Sequence, residues 1–350
     1  MKELLPDIHR WRAAGETVAI ATVVEVRRSA PRPPGAKMAV SASGEVSGTV
    51  SGGCVEGAVV QAALEVLEGA APRLLSFGIA DDEAWEVGLP CGGEIDIWVE
   101  EHVPGPFDDA AETDGRAARV TLISGDGLGE KLVVQADSDH SGSLGSESRD
   151  ELALVHAGEL LWMQRSERRG NMFIDVLAPP PRLLIVGASD VAAALCRLAR
   201  TVGWQPWIID PRSRFATRER FPDAECIVVA WPQEGFAKAG GIDPATSVVV
   251  LTHDPKIDDA ALVLALRSPA RFVGAMGSRR ATASRVERLQ AAGLEDAEIE
   301  RLSGPLGLDL GATGTAETAL SMLAEIVAMR NGRSGGRLVD SAGRIHDVAA

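Results

Sequence analysis

Apolar residues recur in this chain with two different periods, and the period changes along its length. Residues 17–26 are largely apolar and β-rich, the form of a strand. Residues 95–99 alternate apolar and polar, as a half-buried strand does. Between them Val55, Val59, Ala62, Ala63 and Val66 recur at helical spacing, which predicts a helix that follows Cys54 and ends near Gly69. A further helix is predicted over residues 6–15, and short strands over 37–40 and 45–50 on either side of Ser43-Gly44. Three prolines in Ser29-Ala-Pro-Arg-Pro-Pro-Gly35 exclude helix and central strand there, leaving an irregular extended loop.

The pattern weakens over residues 103–178. Stretches 107–119 and 137–150 are acidic, rich in Ser and Gly and poorly patterned, and read as flexible loops. Strand-like runs lie at 120–123, 131–135, 160–163 and 172–176, so the region reads as a β-rich extension of the first domain. Pro179-Pro180-Pro181 then makes a stiff linker. Beyond it, strands are predicted at 183–186, 207–209, 226–230, 248–251 and 272–273, with helical stretches between several of them. The expected fold class is therefore α/β: an N-terminal α+β domain over residues 1–178, with 103–178 as its extension, then a Rossmann-like doubly wound parallel sheet over 179–332 and a tail over 333–350.

Composition narrows the function classes. At 350 residues the chain is long enough for two domains, and 45% hydrophobic content supports a core in each. A net charge of −15 argues against non-specific nucleic-acid binding, although a local nest of N–H groups and arginines can still oppose that field. There is no run of 18 apolar residues, hence no expected membrane span. Met1-Lys2-Glu3-Leu4-Leu5-Pro6 lacks a signal-peptide core, and the four cysteines contain no C-x-x-C pair, so neither a disulfide framework nor a structural zinc site is expected. Cytoplasmic residence follows as an expectation, with no metal ligands and no catalytic residues assigned.

The candidate chemistry begins with two glycine-cysteine turns, Ser51-Gly52-Gly53-Cys54 and Cys91-Gly92-Gly93. Glycine lets backbone N–H groups approach an anion, and a cysteine at a helix N-terminus gains reactivity. The alternative is that both are tight turns whose cysteines are small core residues. In the second half, Gly187-Ala-Ser189-Asp190-Val-Ala192 follows a strand and opens a helix, where a dinucleotide fingerprint belongs. Only its first glycine is present, and Asp190 puts a carboxylate where phosphate should approach. Asp210, about 20 residues on, stands where a ribose hydroxyl is read. Gly277-Ser278-Arg279-Arg280 offers a second anion site at a helix start; ordinary solvated arginines are the alternative. Thr252-His253-Asp254 reads as a base or metal site, or as a capping turn with a buried His253, and the capping turn is favoured. Asp309 and Glu317 face the crevice or serve as capping and surface residues. Cys196 and Cys226 read as structural.

Taken together these stretches resemble the XdhC/CoxI family of xanthine dehydrogenase accessory proteins. The resemblance covers nearly the whole chain and rests on Ser29 to Gly35, Gly48-Thr-Val-Ser-Gly-Gly-Cys54-Val-Glu56, Leu89-Pro-Cys91-Gly-Gly93, Thr252-His253-Asp254, Val273 to Arg280 and Pro305-Leu-Gly-Leu-Asp-Leu-Gly311. It implies a maturation factor and chaperone that binds molybdenum cofactor, protects it, and assists its sulfuration and insertion into a molybdenum hydroxylase of the xanthine or carbon monoxide dehydrogenase type. A cysteine desulfurase and a second copy of the chain, as a homodimer, are the implied further partners. The cofactor-binding set expected on these grounds is Ser51, Gly52, Gly53, Cys54, Glu56, Cys91, Gly92, Gly93, Gly187, Asp210, His253, Asp254, Gly277, Ser278 and Arg279. The glycines would hold the phosphate, and Cys54 and Cys91 would ligate the metal or relay sulfur. The chain departs from the family where Gly-Ala-Gly-His is replaced by Gly187-Ala-Ser-Asp190 and Thr-Pro-Glu-Glu by Gly314-Thr-Ala-Glu317. The competing reading is an NAD(P)-dependent oxidoreductase built on the second domain; a scaffold that has lost its ligand is the third.

Overall fold

The computed structural model describes residues 1–28, 31–78, 93–136 and 139–341. The chain divides into two compact units, Met1–Pro179 and Pro180–Ala350. Among the described residues no helix is long and apolar enough to cross a membrane.

Unit 1 contains two antiparallel sheets. The first part runs α1 (Leu5–Ala13), β1 (Val18–Arg27), β2 (Lys37–Ser41), β3 (Val46–Gly48), α2 (Glu56–Leu67), β4 (Arg73–Phe77) and β5 (Glu94–Glu101), with strand order β3-β2-β1-β5-β4. The largely apolar run of β1 has a simple cause: both of its faces are covered. Ala19, Ala21 and Val23 pack with Val59, Ala63 and Val66 of α2, while Val18 and Ile20 pack with Ile8 and Trp11 of α1.

The second sheet follows as α3 (Pro106–Glu112), β6 (Ala117–Leu122), β7 (Lys131–Gln135), β8 (His140–Ser143), α4 (Glu147–Met163), β9 (Glu167–Arg169) and β10 (Met172–Leu177), ordered β8-β7-β6-β10-β9. Two expectations fail here. Residues 160–163 are the last turn of α4 rather than a strand, and much of the two loop-like stretches belongs to α3, β6, β8 and α4. Ala153, Ala157, Leu160 and Leu161 of α4 form a narrow apolar stripe that packs on Val120, Leu122, Leu132 and Ile174. Exposed Leu152 and Val155, which lie off the stripe on the same helix, blur its period in the sequence. The two sheets of unit 1 are joined by a buried ion triad. Asp175 on β10 receives Lys37 Nζ from β2 at 2.7 Å and Arg119 Nη2 from β6 at 3.2 Å.

Unit 2 is a doubly wound parallel sheet. It runs β11 (Arg182–Val186), α5 (Asp190–Thr201), β12 (Gln205–Ile209), β13 (Cys226–Val228), α6 (Pro232–Lys238), β14 (Ser247–Val250), α7 (Pro255–Arg267), β15 (Phe272–Ala275), α8 (Arg279–Ala291), α9 (Asp296–Ile299), β16 (Leu302–Ser303) and α10 (Thr315–Arg330). The order β13-β12-β11-β14-β15-β16 reverses once, between β11 and β14. Every neighbouring pair is parallel. One face of the sheet is covered by α5 and α10, the other by α6 and α7. In such a sheet the reversal leaves a crevice at the carboxyl ends of the strands, where ligands bind.

Candidate functional site

In unit 1, the turn Ser51-Gly52-Gly53-Cys54 leads from β3 into α2, and all the backbone N–H groups of residues 51–55 are bonded within the turn. The cause is Glu56, the first residue of α2. Its Oε1 accepts from Thr49 Oγ1 and from Ser51 N, the latter at 2.9 Å. Its Oε2 accepts from Ser51 Oγ, from Gly53 N at 2.9 Å and from Val55 N at 3.2 Å. Ser51 Oγ in turn accepts from Cys54 N and Val55 N at 3.0 Å each, and Thr49 Oγ1 accepts from Gly52 N at 2.9 Å. Burial alone would raise the Glu56 carboxyl, but the Ser51 and Thr49 hydroxyls and the backbone N–H groups hold it at about 2.

This corrects the expected phosphate nest. The N–H groups of Gly52 and Gly53 face a side chain and a carboxylate of the chain itself, so no donors remain there for an external anion. Cys54 is also not the helix cap. Val55 holds that position, and α2 begins at Glu56. What the turn presents outward is two glycines and the exposed Cys54. Gly93 is buried immediately before β5; Cys91 and Gly92 lie outside the described residues.

In unit 2, a cleft of about 650 Å³ opens at the carboxyl ends of β11, β12 and β14, the point of strand-order reversal. Gly187 lets two strand ends converge there. A Cβ on it would lie 2.4 Å from Thr252 Cγ2, and its φ is +113°. The residues do not fit a dinucleotide. Ala188 N donates to Asp210 Oδ2 at 2.7 Å, and Gly187 N to the carbonyl of Ile209. Ser189 Oγ caps α5 by accepting from Ala192 N, and the Asp190 carboxylate stands in the first turn, paired with Arg220 Nη2 at 2.9 Å. A pyrophosphate would meet the bonded N–H groups of Gly187 and Ala188 and, at the start of α5, the negative charge of Asp190. Asp210, expected to read a ribose, is fully buried and also holds Arg212 through its backbone N, Nε and Nη2. Burial would raise its carboxyl; the Arg212 guanidinium and the Ala188 and Arg212 N–H groups hold it below the usual carboxylate range.

The cleft offers different chemistry instead. Arg212 lies 4.9 Å from the centroid of the Phe215 ring and Arg220 lies 5.7 Å from it. His253 and Asp254 line the same space. Asp254 caps α7, its Oδ1 accepting from Lys256 N at 3.0 Å, while His253 is exposed rather than buried. An exposed ring flanked by two guanidinium groups suits a planar anionic group. Sequence reasoning misses Arg212, Phe215 and Arg220. Their signal is a cluster of arginine and phenylalanine just after a strand end, which resembles ordinary loop composition until Phe215 is seen to be exposed.

Gly277, Ser278 and Arg279 do not line this cleft. Ser278 caps α8, its Oγ accepting from Ala281 N at 3.1 Å. Behind them Arg285 pairs with Asp258, which also receives the Thr252 hydroxyl. The Pro305 to Gly311 stretch is pinned to α10: Glu325 accepts from Ser303 Oγ and from Gly307 N. Asp309 is exposed, and Glu317 accepts from Thr313 N at the start of α10. Cys196 is buried, with its thiol pushed up to about 12. No group of three or more His, Cys, Asp or Glu with metal-binding geometry occurs among the described residues.

Comparison with known proteins agrees with this architecture. The model of the XdhC Rossmann domain matches residues 183–326, and that of the XdhC and CoxI family matches residues 11–78. A Bacillus subtilis protein named as a probable subunit of xanthine dehydrogenase is 28% identical over 324 residues, covering 90% of this chain and 94% of that protein. The molybdenum cofactor insertion chaperone PaoD of Escherichia coli is 28% identical over 321 residues, covering 91% of this chain and 85% of its own. A crystal structure described as a xanthine dehydrogenase from Bacillus halodurans shares the fold, with a TM-score of 0.61, 24% identity, and coverage of 96% of this chain and 97% of that one. The chain is thus similar to the XdhC and CoxI family over residues 11–78 and to the XdhC Rossmann domain over residues 183–326.

Proposed function

We propose that the chain carries molybdenum cofactor as cargo and delivers it to a molybdenum hydroxylase of the xanthine or carbon monoxide dehydrogenase type, assisting its sulfuration before insertion. The reading is supported by similarity over nine-tenths of the chain to a protein named as a molybdenum cofactor insertion chaperone. The structural observation that carries it is the exposed thiol of Cys54 on a turn whose donors are all satisfied by Glu56, Ser51 and Thr49. A thiol held in one place at the surface can act as a soft ligand to the cargo's metal or as an acceptor of sulfur. Gly52 and Gly53 belong to this reading as the exposed surface beside the thiol rather than as a phosphate nest, and Cys91, Gly92 and Gly93 belong to it as further members of the cofactor-binding set.

In unit 2, Arg212, Arg220, Phe215 and His253 supply cationic and aromatic contacts that suit a phosphorylated pterin. The same reading has the chain in the cytoplasm as a homodimer, with a cysteine desulfurase as sulfur donor. The test is purification from a molybdate-fed host, followed by oxidation and fluorescence detection of a phosphorylated pterin. We expect pterin to accompany the chain and Cys54→Ala to lower activation of the target hydroxylase by about tenfold or more, the range of a lost soft ligand or its supporting contact. Pterin absent from every preparation, together with unchanged activation by Cys54→Ala, overturns the reading.

A further inference from the structure

We propose that the start of α8 in unit 2 is a binding site for a tetrahedral oxyanion, phosphate or a phosphate monoester, with Arg285 as its buried counter-charge. The proposal does not rest on the identity of the cargo. It begins with unspent donors. The N-terminus of a 13-residue helix carries partial positive charge. Ser278 takes up Ala281 N through its hydroxyl and Thr282 N through its carbonyl. The N–H groups of Arg279 and Arg280 point along the axis without an acceptor among the described residues. No acidic residue occupies the first turn; two arginines do. Arginines there are unfavourable beside the helix dipole unless an anion joins them.

The second observation is independent of the helix end. Arg285 is 3% exposed. Its Nη2 reaches Asp258 Oδ2 at 3.3 Å and the Met276 carbonyl at 3.0 Å, but its Nε and Nη1 are buried with no partner among the described residues. Buried guanidinium donors are rarely left this way, because their desolvation is not repaid. Their position is informative. A Cβ on Gly277 would lie 3.5 Å from Nη1, so the unpartnered nitrogen faces the space that this glycine leaves open before the first turn of α8. Thr282 Oγ1, one turn before Arg285 on the same side of the helix, is also buried and without a partner among the described residues. Donors thus arrive from the helix axis and from its inner flank. A planar carboxylate would be served by the guanidinium alone, whereas a tetrahedral oxyanion can use both directions.

The experiment is titration of the full chain with inorganic phosphate at constant ionic strength, read by calorimetry, with glycerol phosphate run in parallel. Saturable binding is expected. Tighter binding of the ester identifies the phosphate of a larger ligand; equal or tighter binding of inorganic phosphate identifies the free anion. Arg285→Gln should weaken either by about tenfold or more, the scale of one charge-assisted contact. Because that change also strands Asp258, a second variant is needed. Ala281 is exposed in the first turn of α8. Ala281→Glu places a carboxylate where it favours the helix and repels a bound anion. It should leave Tm unchanged or raised while weakening phosphate by a similar factor. The proposal fails if phosphate does not saturate beyond a chloride control, or if Ala281→Glu binds phosphate as the parent does.

Discussion

Glu56 shows how a single side chain redirects a motif. A glycine-rich turn before a helix offers N–H groups to any nearby anion, and the first anion within reach is three residues further along the same chain. Five hydrogen bonds converge on its carboxylate from Thr49, Ser51, Gly53 and Val55. The pH consequence has a definite sign. The folded value, about 2, lies below the ordinary carboxylate value. The contribution of Glu56 is therefore complete above the unfolded value, near 4.5, and is lost as the pH falls from there toward 2. Glu56→Gln should cost on the order of 2 kcal/mol at pH 7 in urea unfolding. The gap between parent and variant should narrow at pH 3. A gap that is constant with pH would show that the charge does not organise the turn. The presence of the turn was legible in the sequence, but its use was not, because Glu56 stands outside the glycine-cysteine run and reads as the first acidic residue of a helix.

Asp210 follows the same logic in unit 2. Its place after the second strand was readable, and its role depended on what surrounds the carboxylate. Arg212 and Ala188 fill it. The arginine that saturates Asp210 also lies against Phe215, so losing the dinucleotide contact and gaining a cationic, aromatic cleft are one arrangement.

At the level of elements, strongly periodic segments were legible and weakly periodic ones were not. The helix predicted after Cys54 is α2, and the strands predicted at 183–186 and 207–209 lie within β11 and β12. The failure at α4 is instructive. Four of its residues, Ala153, Ala157, Leu160 and Leu161, are buried on one side, Leu154 and Met163 pack partly buried beside them, and Leu152 and Val155 are exposed. A four-residue apolar window at 160–163 looks like a strand unless the earlier Ala153 and Ala157 are counted as part of the same stripe. Leu160 is fully buried, whereas Val155 on the same helix is 67% exposed. Leu160→Ala should cost about 3 kcal/mol in denaturant unfolding, with Val155→Ala within about 0.5 kcal/mol of the parent. Comparable losses at both positions would contradict the packing of α4.

At the scale of whole units, each is held by contacts between residues far apart in the chain. In unit 1, Lys37, Arg119 and Asp175 meet in a buried triad that connects the two sheets. Burial would raise the Asp175 carboxyl, but Lys37 and Arg119 hold it below its ordinary range. Its contribution is thus present at neutral pH and lost on acidification. Asp175→Asn keeps the shape and removes the charge that balances two buried cations. It should destabilise the protein by about 3–5 kcal/mol at pH 7, the cost of stranding buried charges. A loss below about 1 kcal/mol in equilibrium unfolding would mean that water reaches the triad. Nothing in local sequence marks these three residues as partners.

The sequence alone determined the alternation of strands and helices after residue 182, the short-stranded, β-rich character of much of the first half, and the family pattern of glycines, prolines and cysteines. These are properties of periodicity and backbone conformation, carried by neighbouring residues. Tertiary structure alone decided which anion fills the Ser51–Cys54 turn, that Asp210 is saturated, that Arg212 and Arg220 flank an exposed Phe215, and that two nitrogens of Arg285 lie unpartnered behind the start of α8. The physical reason is the same throughout. A donor or a charge has a function only relative to the group that satisfies it, and that group is set by packing.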